Sequence, residues 1–126
     1  MSEKILHRQV CDYIRAQYPK VMFNSDMSGA TRLTIGQAVA MKRLRSNRGW
    51  PDLFLAEPRA IFHGLFIELK PEGTKLYKRD TTPATPHIAE QETCLFELEN
   101  RGYAAAFGVG FDDTKFIIDT YLNLKP

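Results

Sequence analysis

Apolar positions along the chain follow two periods, and the switches between them predict the elements. From Ser2 to about Gln17, Leu6, Val10 and Ile14 recur every four residues, which predicts a helix with Ser2 as its N-cap. Glu3 and His7 continue that stripe toward the N-terminus, and Tyr18-Pro19 ends it, because the residue before proline is biased away from helical geometry. Val21-Met22-Phe23 predicts a short strand. Asn24 to Thr31 reads as a loop with Ser28-Gly29 as turn chemistry. Thr34 to about Leu44 predicts a second helix packing through Ile35, Ala38, Val39 and Met41. Two apolar runs between Pro51 and Lys70, broken around Glu57-Pro58-Arg59, predict a β-hairpin, and Pro71 stops its second strand. A long connection with three prolines runs from Pro71 to His87. From about His87 to Arg101 a third helix turns Ile88, Gln91, Cys94, Leu95 and Leu98 inward, with Gly102 just past its end. Tyr103 to Val109 reads as a strand parallel to the one ending at Lys70, since a helix connects them. Asp112 or Asp113 is expected to cap a last helix to about Leu122, packed through Phe116, Ile117 and Tyr121.

Acids interrupt the apolar pattern within the hairpin. Pairing Asp52 with Glu68 centres the hairpin on Ala60 and makes the two carboxylates neighbours. The period of two then puts Phe66, Glu68 and Lys70 on one face and Leu65, Ile67 and Leu69 on the other. Burying such charges is costly unless they pair or hold a cation. One reading is a structural ion pair of Lys70 with Glu68 or Asp52. The other is divalent-metal hydrolysis of a phosphodiester: two carboxylates offer hard oxygen ligands to Mg²⁺ or Mn²⁺, while a neighbouring lysine orients the nucleophile or offsets developing charge. Gln91 interrupts the inward face of the third helix and needs a buried partner, which the same site would supply.

The 126 residues suffice for one core, and the natural reading is a single domain spanning 1–126. No stretch approaches the ~18 apolar residues of a membrane span, and the polar start is unlike a signal peptide. Cys11 and Cys94 lie in helical apolar patterns and read as reduced thiols in a cytoplasmic setting; no Cys/His group has zinc spacing. Charge divides along the chain. Residues 1–50 hold nine Lys/Arg against three Asp/Glu, and residues 51–126 hold eight against twelve, a distribution suited to gripping a polyanion beside an acidic site. The densest basic run, with Lys42, Arg43, Arg45 and Arg48, leads straight into Asp52 and is the expected phosphate contact. Lys75, Lys78 and Arg79 in the long connection are further candidates. Trp50 either stacks on a base or packs beneath the turn.

Pro51-Asp52 followed by Glu68-Leu69-Lys70 resembles the PD-(D/E)XK nuclease motif. The fuller wording, Gly49-Trp50-Pro51-Asp52-Leu53 and Gly64-Leu65-Phe66-Ile67-Glu68-Leu69-Lys70, resembles the VRR-Nuc family, whose pattern continues with a Gln on the next helix and a Gly-Tyr, here Gln91 and Gly102-Tyr103. Two departures stand out: Ser25 to Gly29 lacks the family's Asn-Gly loop, and the connection after Lys70 is longer. The resemblance implies an α/β restriction-endonuclease-like core, a small mixed sheet flanked by helices. It implies a metal-dependent, structure-selective DNA endonuclease in which Asp52, Glu68 and the Leu69 carbonyl hold Mg²⁺ or Mn²⁺. Lys70 would assist the attacking water, Gln91 would support it, and Glu3 would join the site. Stand-alone members resemble Holliday junction resolvases, which implies a homodimer acting on four-way junctions; Phe96 and Phe111 are candidate exposed apolar residues for its interface. A flap or other branched-DNA nuclease, an RNA nuclease and a non-cleaving binding module remain alternatives, and phage, mobile-element and repair settings are equally compatible.

Overall fold

The computed structural model describes residues 2–27 and 31–126, so the Ser28-Gly29 turn lies outside the described residues. The first helix, α1 (Glu3–Gln17), starts where the Ser2 hydroxyl accepts from the Ile5 N–H at 3.3 Å, and it buries Leu6, His7, Val10 and Ile14. Then follow β1 (Phe23–Ser25), α2 (Ile35–Arg43), β2 (Leu53–Leu55), β3 (Leu65–Lys70), α3 (Pro86–Glu99), β4 (Ala104–Val109) and α4 (Gly110–Leu122). The sheet has the order β1-β2-β3-β4, antiparallel up to β3, with β4 parallel to β3. This is the small mixed sheet with flanking helices that the pattern predicts.

The hairpin register is the one expected. Leu53 faces Ile67, Phe54 faces Phe66 and Leu55 faces Leu65, which brings Asp52 level with Glu68. Ala60, at the centre of symmetry, takes a positive φ of 51°. Leu53, Leu55, Leu65, Ile67 and Leu69 form the core with Leu6, Val10 and Ile14 of α1 and Ile118, Tyr121 and Leu122 of α4. Each such side chain stabilises by roughly 1.5–3 kcal/mol on burial. The hydroxyls of Tyr13 and Tyr18 both donate to Asp119 Oδ1, which ties α1 to α4. The opposite sheet face carries Phe66, Glu68 and Lys70, and α3 packs over it with Ile88, Gln91, Cys94, Leu95 and Leu98 buried.

Five expectations need correction. The first strand begins two residues later than Val21, because Phe23, Asn24 and Ser25 find partners in Leu55, Phe54 and Leu53 while Val21 has none. The helix α2 forms where expected but buries nothing: Ile35 is 86% exposed and Val39 half exposed. Local bonds define it instead, a capping box in which Thr34 Oγ1 accepts from the Gln37 N–H at 3.1 Å and Gln37 Oε1 from the Thr34 N–H at 2.9 Å. The last helix has no side-chain cap at its N-cap, Val109. It follows β4 directly at Gly110 (φ 81°), and Asp112 and Asp113 fall in its first turn, Asp113 Oδ2 accepting from the Val109 N–H at 2.9 Å. That phase turns Thr114, Ile118, Tyr121 and Leu122 inward and leaves Phe116 68% exposed; Ile117 is partly buried. Phe111 is not an exposed residue either, for it packs on the core with its ring 5.8 Å from that of Tyr13, edge to face. Phe96 is exposed.

The long connection folds back on itself through the bridge between Tyr77 and Pro83 and the Ala84 N–H to Leu76 carbonyl bond at 2.8 Å. Cys11 and Cys94 are free thiols, the first half-buried and the second buried. No helix among the described residues is long and apolar enough to cross a membrane.

Candidate active site

The two halves of the acidic motif meet because a glycine lets the chain touch a helix. Gly49 has φ 76°, and a Cβ there would lie 2.7 Å from the backbone of Glu90 and Gln91 on α3. The turn therefore docks on α3, and Trp50-Pro51 delivers Asp52 to the end of β2. Asp52 Oδ1 accepts from the Leu69 N–H at 2.9 Å, so this side chain continues the ladder where β2 stops. Its Oδ2 lies 3.3 Å from His7 Nε2, an ion-pair distance without hydrogen-bond alignment, and His7 Nδ1 is 2.7 Å from Ser25 Oγ. A chain of contacts, Ser25 to His7 to Asp52, thus orients the first carboxylate.

Glu68 is 5% exposed, Lys70 8% and Gln91 5%, an unusual concentration of buried polar groups. Gln91 Nε2 donates to Glu68 Oε1 at 2.8 Å and lies 3.2 Å from His87 Nε2. Burial, a hydrogen bond with Asp52 and the Asp52 charge hold the Glu68 carboxyl well above the usual carboxylate range; Lys70 opposes this and Glu3 adds to it. Burial and a nearby carboxylate charge both disfavour the ionised form of Glu68, so a positive charge placed beside it would be stabilised.

These groups line one cavity of about 330 Å³, which takes in Glu3, Asp52, Glu68, Lys70 and Gln91. All five residues expected to act together are therefore brought together. Leu69 turns its side chain into the core and its N–H to Asp52. Asp52 and Glu68 are the groups able to hold a hard cation: among the described residues, no three His, Cys, Asp or Glu side chains meet at ligand spacing. Of the basic run, Arg45 lines the same cavity, bound to Asp26. Lys42 and Arg48 line an adjoining cavity of about 660 Å³, Arg48 standing 3.8 Å from the Glu90 carboxylate. Arg43 is exposed in the last turn of α2. Lys75, Lys78 and Arg79 are exposed on the long connection and line neither cavity.

Sequence reasoning did not single out His7, Ser25, Asp26 or His87. Only His7 left a usable signal: a histidine on the inward stripe of a helix needs a buried partner. His87 stands four residues before Gln91, the spacing of neighbours on one helix face, but nothing distinguishes it from a surface residue.

No protein-family model and no curated sequence matches the chain. A solved structure of a VRR_NUC domain protein is similar to it with a TM-score of 0.72 and 25% identity, covering 99% of this chain and 91% of that one. The likeness runs through every element that carries the cavity, and it supports a nuclease domain. The chain has the fold of a VRR-Nuc domain.

Proposed function

We propose that this chain is a metal-dependent endonuclease of the PD-(D/E)XK type that hydrolyses phosphodiesters in branched DNA, in the manner of a Holliday junction resolvase. The observation that carries the reading is the buried pair of Asp52 and Glu68 beside Lys70. Two neighbouring carboxylates in one cavity, Glu68 held above its ordinary range by burial and the Asp52 charge, gain from a cation between them, and their hard oxygens suit Mg²⁺ or Mn²⁺. Gln91 Oε1 is buried with no partner among the described residues, an acceptor left for a water or an ammonium. The residues present fit such an ion.

Asp52, Glu68 and the Leu69 carbonyl would hold it, and once bound it supplies charge neutralisation at the phosphoryl group and activation of water. The protein's share is positioning. His7 and the Leu69 N–H fix Asp52, and Gln91 fixes Glu68, so neither carboxylate reorganises during the reaction. Lys70 donates to the attacking water or to a phosphoryl oxygen. Arg45 and Arg48, with Lys42, give the phosphate backbone a basic approach. Two symmetric cuts in a four-way junction require two sites related by a two-fold axis, hence a homodimer. Free cysteines suit a cytoplasmic setting.

Incubation with a four-way junction, a flap, linear duplex, single strand and the matching RNA, in Mg²⁺, Mn²⁺ and EDTA, tests this. Metal-dependent cutting that favours the junction is expected. Cutting that favours flaps moves the substrate, cutting of RNA alone changes the class, and metal-independent binding without cutting refutes hydrolysis.

A further inference from the structure

Beside the carboxylate cavity lies a second one, of about 430 Å³, whose floor is aromatic. By strand alternation Phe54 faces away from the core that Leu53 and Leu55 enter, and it pairs with Phe66 across the ladder. Their rings lie nearly parallel with centroids 4.3 Å apart, and Trp50 meets Phe66 at an angle, 5.9 Å away. None of the three is fully buried, and all three line the cavity. Asn24, Asp26, Arg45 and Ser46 form its rim. Trp50, Asp26, Arg45 and Asp52 line both cavities, so the two adjoin, with Asp52 common to them. The Trp50 Nε1–H is buried with no acceptor among the described residues, an unusual state for an indole.

We propose that this aromatic cavity receives the base of one unpaired nucleotide, stacked on the Trp50, Phe54 and Phe66 cluster while its phosphate reaches Asp52 and Glu68. The inference rests on the phosphodiester-hydrolysis reading and adds how the substrate is chosen. A base fits where a bare phosphate does not: three aromatic rings line the cavity, and Asn24, Ser46 and the Arg45–Asp26 pair in its lining present donors and acceptors to a base edge. The volume lies within the ~300–1,000 Å³ of ligand cavities. Charge complementarity points the same way, for Lys42, Arg45 and Arg48 line the adjoining cavity and give the sugar-phosphate chain a basic path. A base paired within a duplex cannot enter, so the cavity selects DNA that is frayed, branched or flapped.

The chain has a single tryptophan, so its emission reports on the cavity directly. The protein is titrated in EDTA with three otherwise identical duplexes: one bearing a single unpaired nucleotide, one bearing an abasic site in its place and one fully paired. The expected result is quenching of Trp50 with the unpaired base alone, and binding tighter than to the abasic duplex by roughly tenfold. By anisotropy of labelled DNA, Trp50→Leu should lose that advantage and Trp50→Phe should keep most of it. Equal quenching with base and abasic site, or none with either, overturns the proposal, and so does an advantage that survives in a folded Trp50→Leu variant. The comparison on the wild type stands even if that variant fails to fold. Cleavage of the same duplexes in Mg²⁺ separates the two readings: cutting without base-dependent quenching refutes the stacking site alone, and quenching without cutting refutes hydrolysis alone.

Discussion

Replacing Glu68 by glutamine should change how the metal-free protein responds to pH, with a sign that follows from the geometry. In the fold, burial and the neighbouring Asp52 charge hold the Glu68 carboxyl well above the ordinary glutamate value of 4.5, whereas the unfolded chain releases its proton near that value. The native state therefore binds one more proton than the unfolded state at pH 6–8, and stability falls as pH rises through that window. One proton corresponds to a slope of about 1.4 kcal/mol per pH unit, so two units amount to about 2.7 kcal/mol. That is a large part of the ~5–15 kcal/mol that keeps a domain folded. Glutamine keeps the shape and the bond to Gln91 but does not titrate in this range. Urea unfolding at pH 6, 7 and 8 in EDTA should give a falling stability for the wild type and a flatter profile for Glu68→Gln. Mg²⁺ should restore wild-type stability most at pH 8, because the ion displaces the proton and its affinity grows by up to about tenfold per pH unit. Parallel profiles for the two proteins would refute the raised Glu68 carboxyl, and with it the reason for a cation at this place.

Three other outcomes follow from single contacts. Gly49→Ala should destabilise by about 2–5 kcal/mol in urea unfolding, combining the left-handed backbone cost with a clash against α3; a loss under ~0.5 kcal/mol would mean that the turn is not docked there. Arg45→Ala with Arg48→Ala should reduce the salt dependence of DNA binding by about two units of slope in a log–log plot, and an unchanged slope would remove both from the phosphate path. His7→Ala should weaken Mn²⁺ binding by about 10–100-fold through the loss of its hold on Asp52, whereas unchanged affinity would reduce His7 to core filling.

The parts legible in the sequence were those where two constraints coincide. Asp52 and Glu68 are equidistant from Ala60, and alternation in Leu65–Lys70 independently assigns their face, so the register admits little choice. The inward stripe of α3, with Gln91 among Ile88, Cys94 and Leu95, is likewise determined by period and by burial together. Where a single local signal stood alone, it misled. Ile35 and Val39 have helical spacing, yet nothing in the described fold covers them. Asp112 and Asp113 look like caps, but Gly110 has already begun the helix, and the phase it sets exposes Phe116. The contacts of His7 with Ser25 and Asp52, and of Arg45 with Asp26, join residues far apart in the chain, and no periodicity encodes such meetings.

Hydrolysis at this site requires that Asp52 and Glu68 jointly bind a divalent ion. Mn²⁺ titration followed by the resonance signal of the free ion tests this most directly, with wild type, Asp52→Asn and Lys70→Ala measured beside their DNA cleavage. Binding should be lost in Asp52→Asn and kept in Lys70→Ala, with neither variant cutting. Wild-type Mn²⁺ affinity in Asp52→Asn, or wild-type cutting by Lys70→Ala, would contradict it.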